Sequence, residues 1–162
     1  MISKGQILGL VFWLFMTFVA AAIGSLASIN AQSFYNQLTQ PAWSPPGFVF
    51  GPVWTLLYSL MGIAAWLVWR DGTKKDARIA LGLYLAQLAL NALWSWLFFV
   101  WNLGFLAFVE ILLLLALILA TMISFRRVNQ LAGILLIPYF LWVCFAAFLN
   151  YSLWQLNPHI LG

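Results

Sequence analysis

The sequence predicts an all-α membrane protein: one domain over residues 1–162, folded as a bundle of five transmembrane helices with the N-terminus cytoplasmic and the C-terminus outside. Three observations predict it. Hydrophobic residues make up 65% of the chain and charged residues 6%, against about 45–50% and 25% in ordinary globular domains, too little polar side chain to clothe a soluble core of this size. Five apolar runs each supply the roughly 20 residues that cross 30 Å of hydrocarbon. All seven Lys and Arg gather in segments that five crossings put on one side.

The first run, 5–27, holds no charged residue. It is longer than the 7–15-residue apolar region of a signal peptide and four more follow, so it reads as a retained helix. The stretch 28–40 is polar but uncharged and leads into the proline knot Pro41-Ala42-Trp43-Ser44-Pro45-Pro46. The second run covers 47–69; Pro52 falls in its first turns, where a missing amide donor costs little. Residues 70–76 form a charged turn, and the last three runs cover 77–101, 104–124 and 130–153. No period-2 alternation appears, which argues against a lipid-facing barrel. Loop 28–46, stiffened by its prolines, reads as a lid over the end of the bundle.

Charge then gives the orientation. Lys4, Arg70, Lys74, Lys75, Arg126 and Arg127 share one side, with Arg78 at its helix boundary. The first loop, the Asn102-Leu103 turn and the tail carry no Lys or Arg. By the positive-inside rule the basic side is cytoplasmic; four or six crossings would scatter these charges.

Several classes fall away. The net charge of +4 comes from ten charges, too few for a nucleic-acid footprint. Cys144 is the single cysteine and His159 the single histidine, so no intrachain disulfide, thiolate cluster or paired-imidazole site is expected, and no metal site. The sequence has no Walker loop, dinucleotide turn, HExxH or Ser-His-Asp set. A secondary transporter would usually show repeats and broken helices, and a single intramembrane Glu is weak support for a channel.

Ten Trp, five Tyr and fourteen Phe invite an aromatic belt at headgroup depth. Trp66 and Trp69 on the inner side, and Trp96, Trp101 and Trp154 on the outer, fit one. Others lie deeper: Trp142 is about 16 Å and Asn91 about 14 Å from the outer helix ends, and Tyr58, Gln87 and Tyr139 also lie within the hydrocarbon. Trp54, Tyr58 and Met61 share one helix face, as do Gln87, Asn91, Trp94 and Phe98, and Tyr139, Trp142, Ala146 and Asn150. An unpaired amide in lipid is costly, so these stripes should face the bundle interior. They fall in the outer half, beneath loop 28–46. Two readings follow: a cavity walled by rings that offer stacking faces to a flat aromatic ligand, or aromatics that simply pack one another.

Glu110 stands about 9 Å below the outer boundary with no basic residue at its depth. It is a structural hydrogen-bonding group, part of a ligand- or water-lined site, or a proton-handling group; we expect it to join helix four to its neighbours by hydrogen bonds. Ala77, Gly82, Ala86 and Ala89 make a small-residue face suited to a homodimer, unless Gly82 packs within the monomer.

The residues now reached resemble the tryptophan-rich sensory protein and translocator protein family, also called peripheral benzodiazepine receptor-like. The match runs through Gln40-Pro41-Ala42-Trp43-Ser44-Pro45-Pro46, Phe50-Gly51-Pro52-Val53-Trp54-Thr55-Leu56-Leu57-Tyr58 and Met61-Gly62. It continues in Gln87-Leu88-Ala89-Leu90-Asn91-Ala92-Leu93-Trp94-Ser95 and Phe98-Phe99, then in Pro138-Tyr139, Trp142, Phe145-Ala146 and Leu149-Asn150. The resemblance covers nearly the whole chain. It implies a five-helix bundle in a bacterial cell membrane, usually homodimeric. Its expected function is that of a receptor or sensor for porphyrins such as protoporphyrin IX or haem, with no required cofactor. Some family members promote light-dependent oxidative breakdown of protoporphyrin IX; the alternative is a transporter or ligand-responsive regulator without catalysis. The implied ligand-binding residues are Trp43, Trp54, Tyr58, Asn91, Trp94, Glu110, Tyr139, Trp142, Phe145, Ala146 and Asn150, with Trp54 and Trp142 the candidate redox pair. The sterol motif of animal members needs a cation soon after Tyr, and here Tyr151 is followed by Gln155 in its place. That weakens a cholesterol role.

Overall fold

The computed structural model describes residues 3–162. The elements are α1 (Lys4–Ala27), α2 (Ala31–Gln37), a single 3-10 turn (Gly47–Val49) leading into α3 (Phe50–Asp71), α4 (Lys74–Ser95) continued by a π-turn (Trp96–Val100), α5 (Gly104–Val128), α6 (Gln130–Leu135), α7 (Ile137–Leu156) and α8 (Pro158–Leu161). Five of these segments are long and apolar enough to span a membrane: Lys4–Ala27, Gly47–Asp71, Lys74–Val100, Gly104–Val128 and Gln130–Leu156.

The helix ends lie a few residues from those expected, and local chemistry explains several of the shifts. Thr73 caps α4 by accepting from the Asp76 amide, so the charged turn shrinks to Gly72 and Thr73. Arg126 and Arg127 fall inside the last turn of α5, where cations suit the helix dipole. Asn129 caps α6, and the fifth span is interrupted at Leu136, two residues before Pro138, which cannot continue the hydrogen-bond ladder. At the start of the chain, Ser3 and Gln6 form a capping box for α1.

The helix turns α3–α4 and α5–α6 and the start of α1 carry the cations; this end is called the basic end, and the opposite one the loop end. Near the basic end α1 lies against α3. A Cβ on Gly62 would sit 2.7 Å from Leu14 Cδ2 and 3.2 Å from Leu14 Cα, and one on Gly9 would strike the Trp69 ring. Trp66 Nε1 donates to the Gln6 carbonyl at 2.8 Å. Trp66 is therefore buried and is no belt residue, with Arg70 stacked on its ring. Toward the loop end α1 changes partner: Gly24 meets Ala92 and Ser95 of α4, and Trp96 Nε1 donates to the Ile23 carbonyl. This change of partner leaves α1 and α3 apart at the loop end.

One core cluster fills the basic end and the middle, around Met61, Ala64, Val68, Tyr84, Ile118, Phe125 and Leu136. A second, around Tyr35, Leu38, Phe98, Ala107, Leu149, Leu153 and Leu161, fills the loop end. Large apolar side chains such as Leu8, Phe15, Leu113 and Phe148 point outward, as suits a hydrocarbon surround. On α4, Ala77 is buried while Gly82, Ala86 and Ala89 are exposed. A Cβ on Gly82 would meet nothing within 4 Å, so Gly82 does not pack within the monomer. Ala77 lies against the Gly72 turn and does not share that outward face.

Candidate ligand cavity

Where the two clusters meet, a cavity of about 590 Å³ opens between α1, α2, α3, α4, α5 and α7. Its aromatic walls are Phe18, Tyr35, Phe50, Trp54, Tyr58, Trp94, Phe98, Phe99 and Trp142, and Asn91, Ala146 and Asn150 also face it. The spacing of these residues causes the convergence. Trp54 and Tyr58 are one turn apart on α3, Asn91 and Trp94 nearly so on α4, and Trp142, Ala146 and Asn150 follow at i, i+4 and i+8 on α7. Trp94 stacks on Phe98 with centroids 5.1 Å apart and planes at 13°.

The polar atoms of this wall are tied together. Tyr58 donates to Asn91 Oδ1 at 2.6 Å, Asn91 Nδ2 donates to the Tyr139 hydroxyl at 2.9 Å, and Tyr139 donates to Gln87 Oε1 at 2.7 Å. Trp94 Nε1 donates to Asn150 Oδ1 at 2.9 Å, and Asn150 Nδ2 donates to the Gly104 carbonyl. These bonds link α3, α4, α5 and α7 and fix the rotamers of the wall residues. Gln87 Nε2 is buried without a partner among the described residues.

Segment 28–46 is not a plain loop, because α2 lies within it. Ala31, Gln32 and Tyr35 of α2 face the cavity. The segment is anchored: Tyr35 donates to the Pro45 carbonyl, Gln40 Nε2 to the Tyr35 carbonyl, and Ser44 to Gln40. Burial holds the Tyr35 phenol above its ordinary pKa, so it stays a donor. Asn157 pairs with both backbone groups of Thr39, accepting from its amide at 2.8 Å and donating to its carbonyl at 2.9 Å.

Four of the sequence-derived candidates lie outside these walls. Trp43 stands 51% exposed, edge-on to Phe145. Phe145 packs against Trp142, and Tyr139 lies behind Trp54. Glu110 is buried, and neither carboxyl oxygen has a hydrogen-bond partner among the described residues. The bonds expected to join it to neighbouring helices are not formed among the described residues, and its helix presents Ile111 and Leu114, not Glu110, to the cavity.

Other wall residues escaped the sequence reading. Phe18 and Ser25 come from α1, whose nearly uniform apolarity marks no face, and Ser28 is its C-cap. Ser25 and Ser28, three apart, were the available signal. Thr55 and Gln32 are further wall residues without a periodic pattern of their own.

The model of the TspO/MBR family matches residues 12–155, a stretch that contains every wall residue of the cavity. The chain belongs to the TspO/MBR family. Its relatives in this family include a "Translocator protein" of Ovis aries, 44% identical over 76% of this chain and 75% of that protein. A "Tryptophan-rich protein TspO" of Chlorobaculum tepidum is 42% identical over 79% and 82%. A "Tryptophan-rich sensory protein" of Cereibacter sphaeroides is 37% identical over 89% and 91%. With five spanning segments and bacterial relatives of the same length class, this TspO/MBR chain is a multi-pass protein of a bacterial membrane.

Proposed function

We propose that the cavity binds a flat tetrapyrrole, protoporphyrin IX first among them, and that the protein is a membrane receptor or sensor for it. The supporting observation is the wall itself: Phe50, Trp54, Tyr58, Trp94 and Trp142 face one space of about 590 Å³, within the usual range of ligand sites. Among the described residues no His, Cys or Met lines that space, and its phenols Tyr35 and Tyr58 are already bonded to the Pro45 carbonyl and Asn91, so the metal-free macrocycle suits the donor set better than haem. Titration with protoporphyrin IX in lipid nanodiscs is expected to quench tryptophan fluorescence. Unchanged affinity in the double variant Trp54→Phe, Trp142→Phe would move the site elsewhere.

A second reading adds light-dependent oxidation of the bound pigment, with Trp54 and Trp142 as the redox pair. It is favoured by both rings facing the same space. Under illumination a distinct pigment product that disappears in the double variant supports it. Uniform bleaching matched by serum albumin leaves binding alone.

The basic end is cytoplasmic and the loop end outside on this reading, supported by the placement of the seven cations. Association into a homodimer through Gly82, Ala86 and Ala89 is supported by their exposure on one face of α4. A halved particle mass after Gly82→Leu and Ala86→Leu is the expected outcome; an unchanged dimer removes this face from consideration.

A further inference from the structure

Resting on the tetrapyrrole reading, we infer that the cavity accepts only the uncharged part of its ligand, and that any carboxylates stay at the side bounded by α1, α2 and α3. Among the described residues the wall holds no Lys, Arg, His, Asp or Glu. The cations are all distant. Counting along the helices from the nearest wall residues, Phe18 to Lys4, Tyr58 to Arg70, Asn91 to Arg78 and Leu114 to Arg126 are each about 18–21 Å between Cα atoms, too far for a side chain of the basic end to reach a carboxylate in the cavity. Glu110, behind the wall, offers an anion no attraction.

Most neutral donors of the wall are committed as well, the indole N–H groups of Trp54 and Trp142 excepted. Ser25, Ser28 and Thr55 give their hydroxyl hydrogens to the carbonyls of Ala21, Gly24 and Gly51, so they turn lone pairs toward the cavity. Tyr58 gives its hydrogen to Asn91, and Trp94 to Asn150. A carboxylate drawn inside would lose its water and gain neither a cation nor enough donors, which is unfavourable. An ester or ketone oxygen asks for much less.

Exposure shows where charge can remain. Wall residues of α5 and α7 such as Ile111, Leu114, Val143 and Leu153 are sealed, each at most 2% exposed. Ala22 and Ser25 of α1, Gln32 of α2 and Thr55 of α3 are exposed, on the side where α1 and α3 have parted. A macrocycle lying in the cavity with its acidic edge toward Gln32 keeps its carboxylates in contact with water or headgroups.

The test compares protoporphyrin IX with its dimethyl ester by tryptophan quenching in phosphatidylcholine nanodiscs, with empty discs correcting for partition into lipid. The ester is expected to bind within about threefold of the acid, or tighter. In Gln32→Arg the acid should tighten by about fivefold or more while the ester hardly changes. An ester more than about tenfold weaker than the acid means that the cavity does hold carboxylates and overturns the inference; so does a Gln32→Arg variant whose affinity for the acid is unchanged or lower. If neither compound quenches beyond the empty discs, the tetrapyrrole reading itself fails, a result distinct from both.

Discussion

Replacing Tyr139 by Phe removes one oxygen atom and two buried hydrogen bonds. The hydroxyl accepts from Asn91 Nδ2 at 2.9 Å and donates to Gln87 Oε1 at 2.7 Å, and the side chain is 1% exposed. Phe keeps the ring, its volume and its edge contact with Trp54. What it leaves behind is an unpaired Asn91 amide hydrogen and a Gln87 with no partner at either end, since Gln87 Nε2 already has none. Interhelical side-chain bonds in membrane proteins are worth about 0.6 kcal/mol on average and up to about 1.7. Two of them give about 1–3 kcal/mol, a roughly 5- to 150-fold shift in the unfolding equilibrium. Tyr58→Phe is the internal standard. It removes one bond, and the Asn91 oxygen it strands faces the cavity, where water can reach it, so the cost should be about 0–1 kcal/mol. Unfolding followed by helicity in micelles of rising denaturing-detergent content measures both. If Tyr139→Phe costs no more than Tyr58→Phe, the network does not hold the wall in place and the reasoning fails.

The remaining expectations concern other contacts. Glu110→Leu should stabilise the protein by about 1–3 kcal/mol, because it removes two buried oxygens that lack partners; Glu110→Gln should not, and a destabilised Leu variant would reveal a partner such as bound water. Gly62→Ala should cost about 1–3 kcal/mol by pushing α1 off α3 at the Leu14 backbone. Gly82→Ala, which meets open space within the monomer, should gain up to about 1 kcal/mol of helix propensity in dissociated monomers, and both are read by the same unfolding assay. Asn157→Ala should speed amide exchange across 31–46 by freeing the Thr39 backbone, leaving exchange in α3 and α4 unchanged; equal protection before and after would show that the segment is held elsewhere.

The parts of the fold legible in the sequence were those set by composition and period. Five spans followed from run length, and the stripes on α3, α4 and α7 converged because i, i+3 and i+4 spacing places residues on one face wherever the helix is put. What spacing cannot supply is azimuth against the neighbours. Counting turns gives Glu110 a height along α5, yet its rotation about α5 decides whether it meets the cavity, and nothing along α5 marks that rotation. Trp66 illustrates the same gap. At headgroup depth it resembles Trp69, and only its contact with the Gln6 carbonyl of another helix separates a buried indole from an exposed one. Helix α2 was missed because seven residues are too few for a 3.6-residue period to declare itself. The Asn157–Thr39 pairing joins positions too far apart in the chain for any local pattern.

The cavity follows from the way α1 is shared between two partners. At the basic end Gly62 lets the α1 backbone approach α3 within side-chain contact, and the Trp66–Gln6 bond holds the pair. Toward the loop end Gly24 and the Trp96–Ile23 bond commit α1 to α4 instead. A straight helix held at one end to α3 and at the other to α4 must diverge from α3, and the space it vacates is the one that Phe18, Trp54 and Tyr58 line. The opening therefore depends on contacts outside the cavity itself. A bulkier residue at position 62, which is not part of the wall, should shift α1 and change ligand affinity without touching a wall ring, whereas a wall substitution changes affinity without moving α1. Distance measurements between spin labels on α1 and α3, made beside the binding titration, separate these two effects.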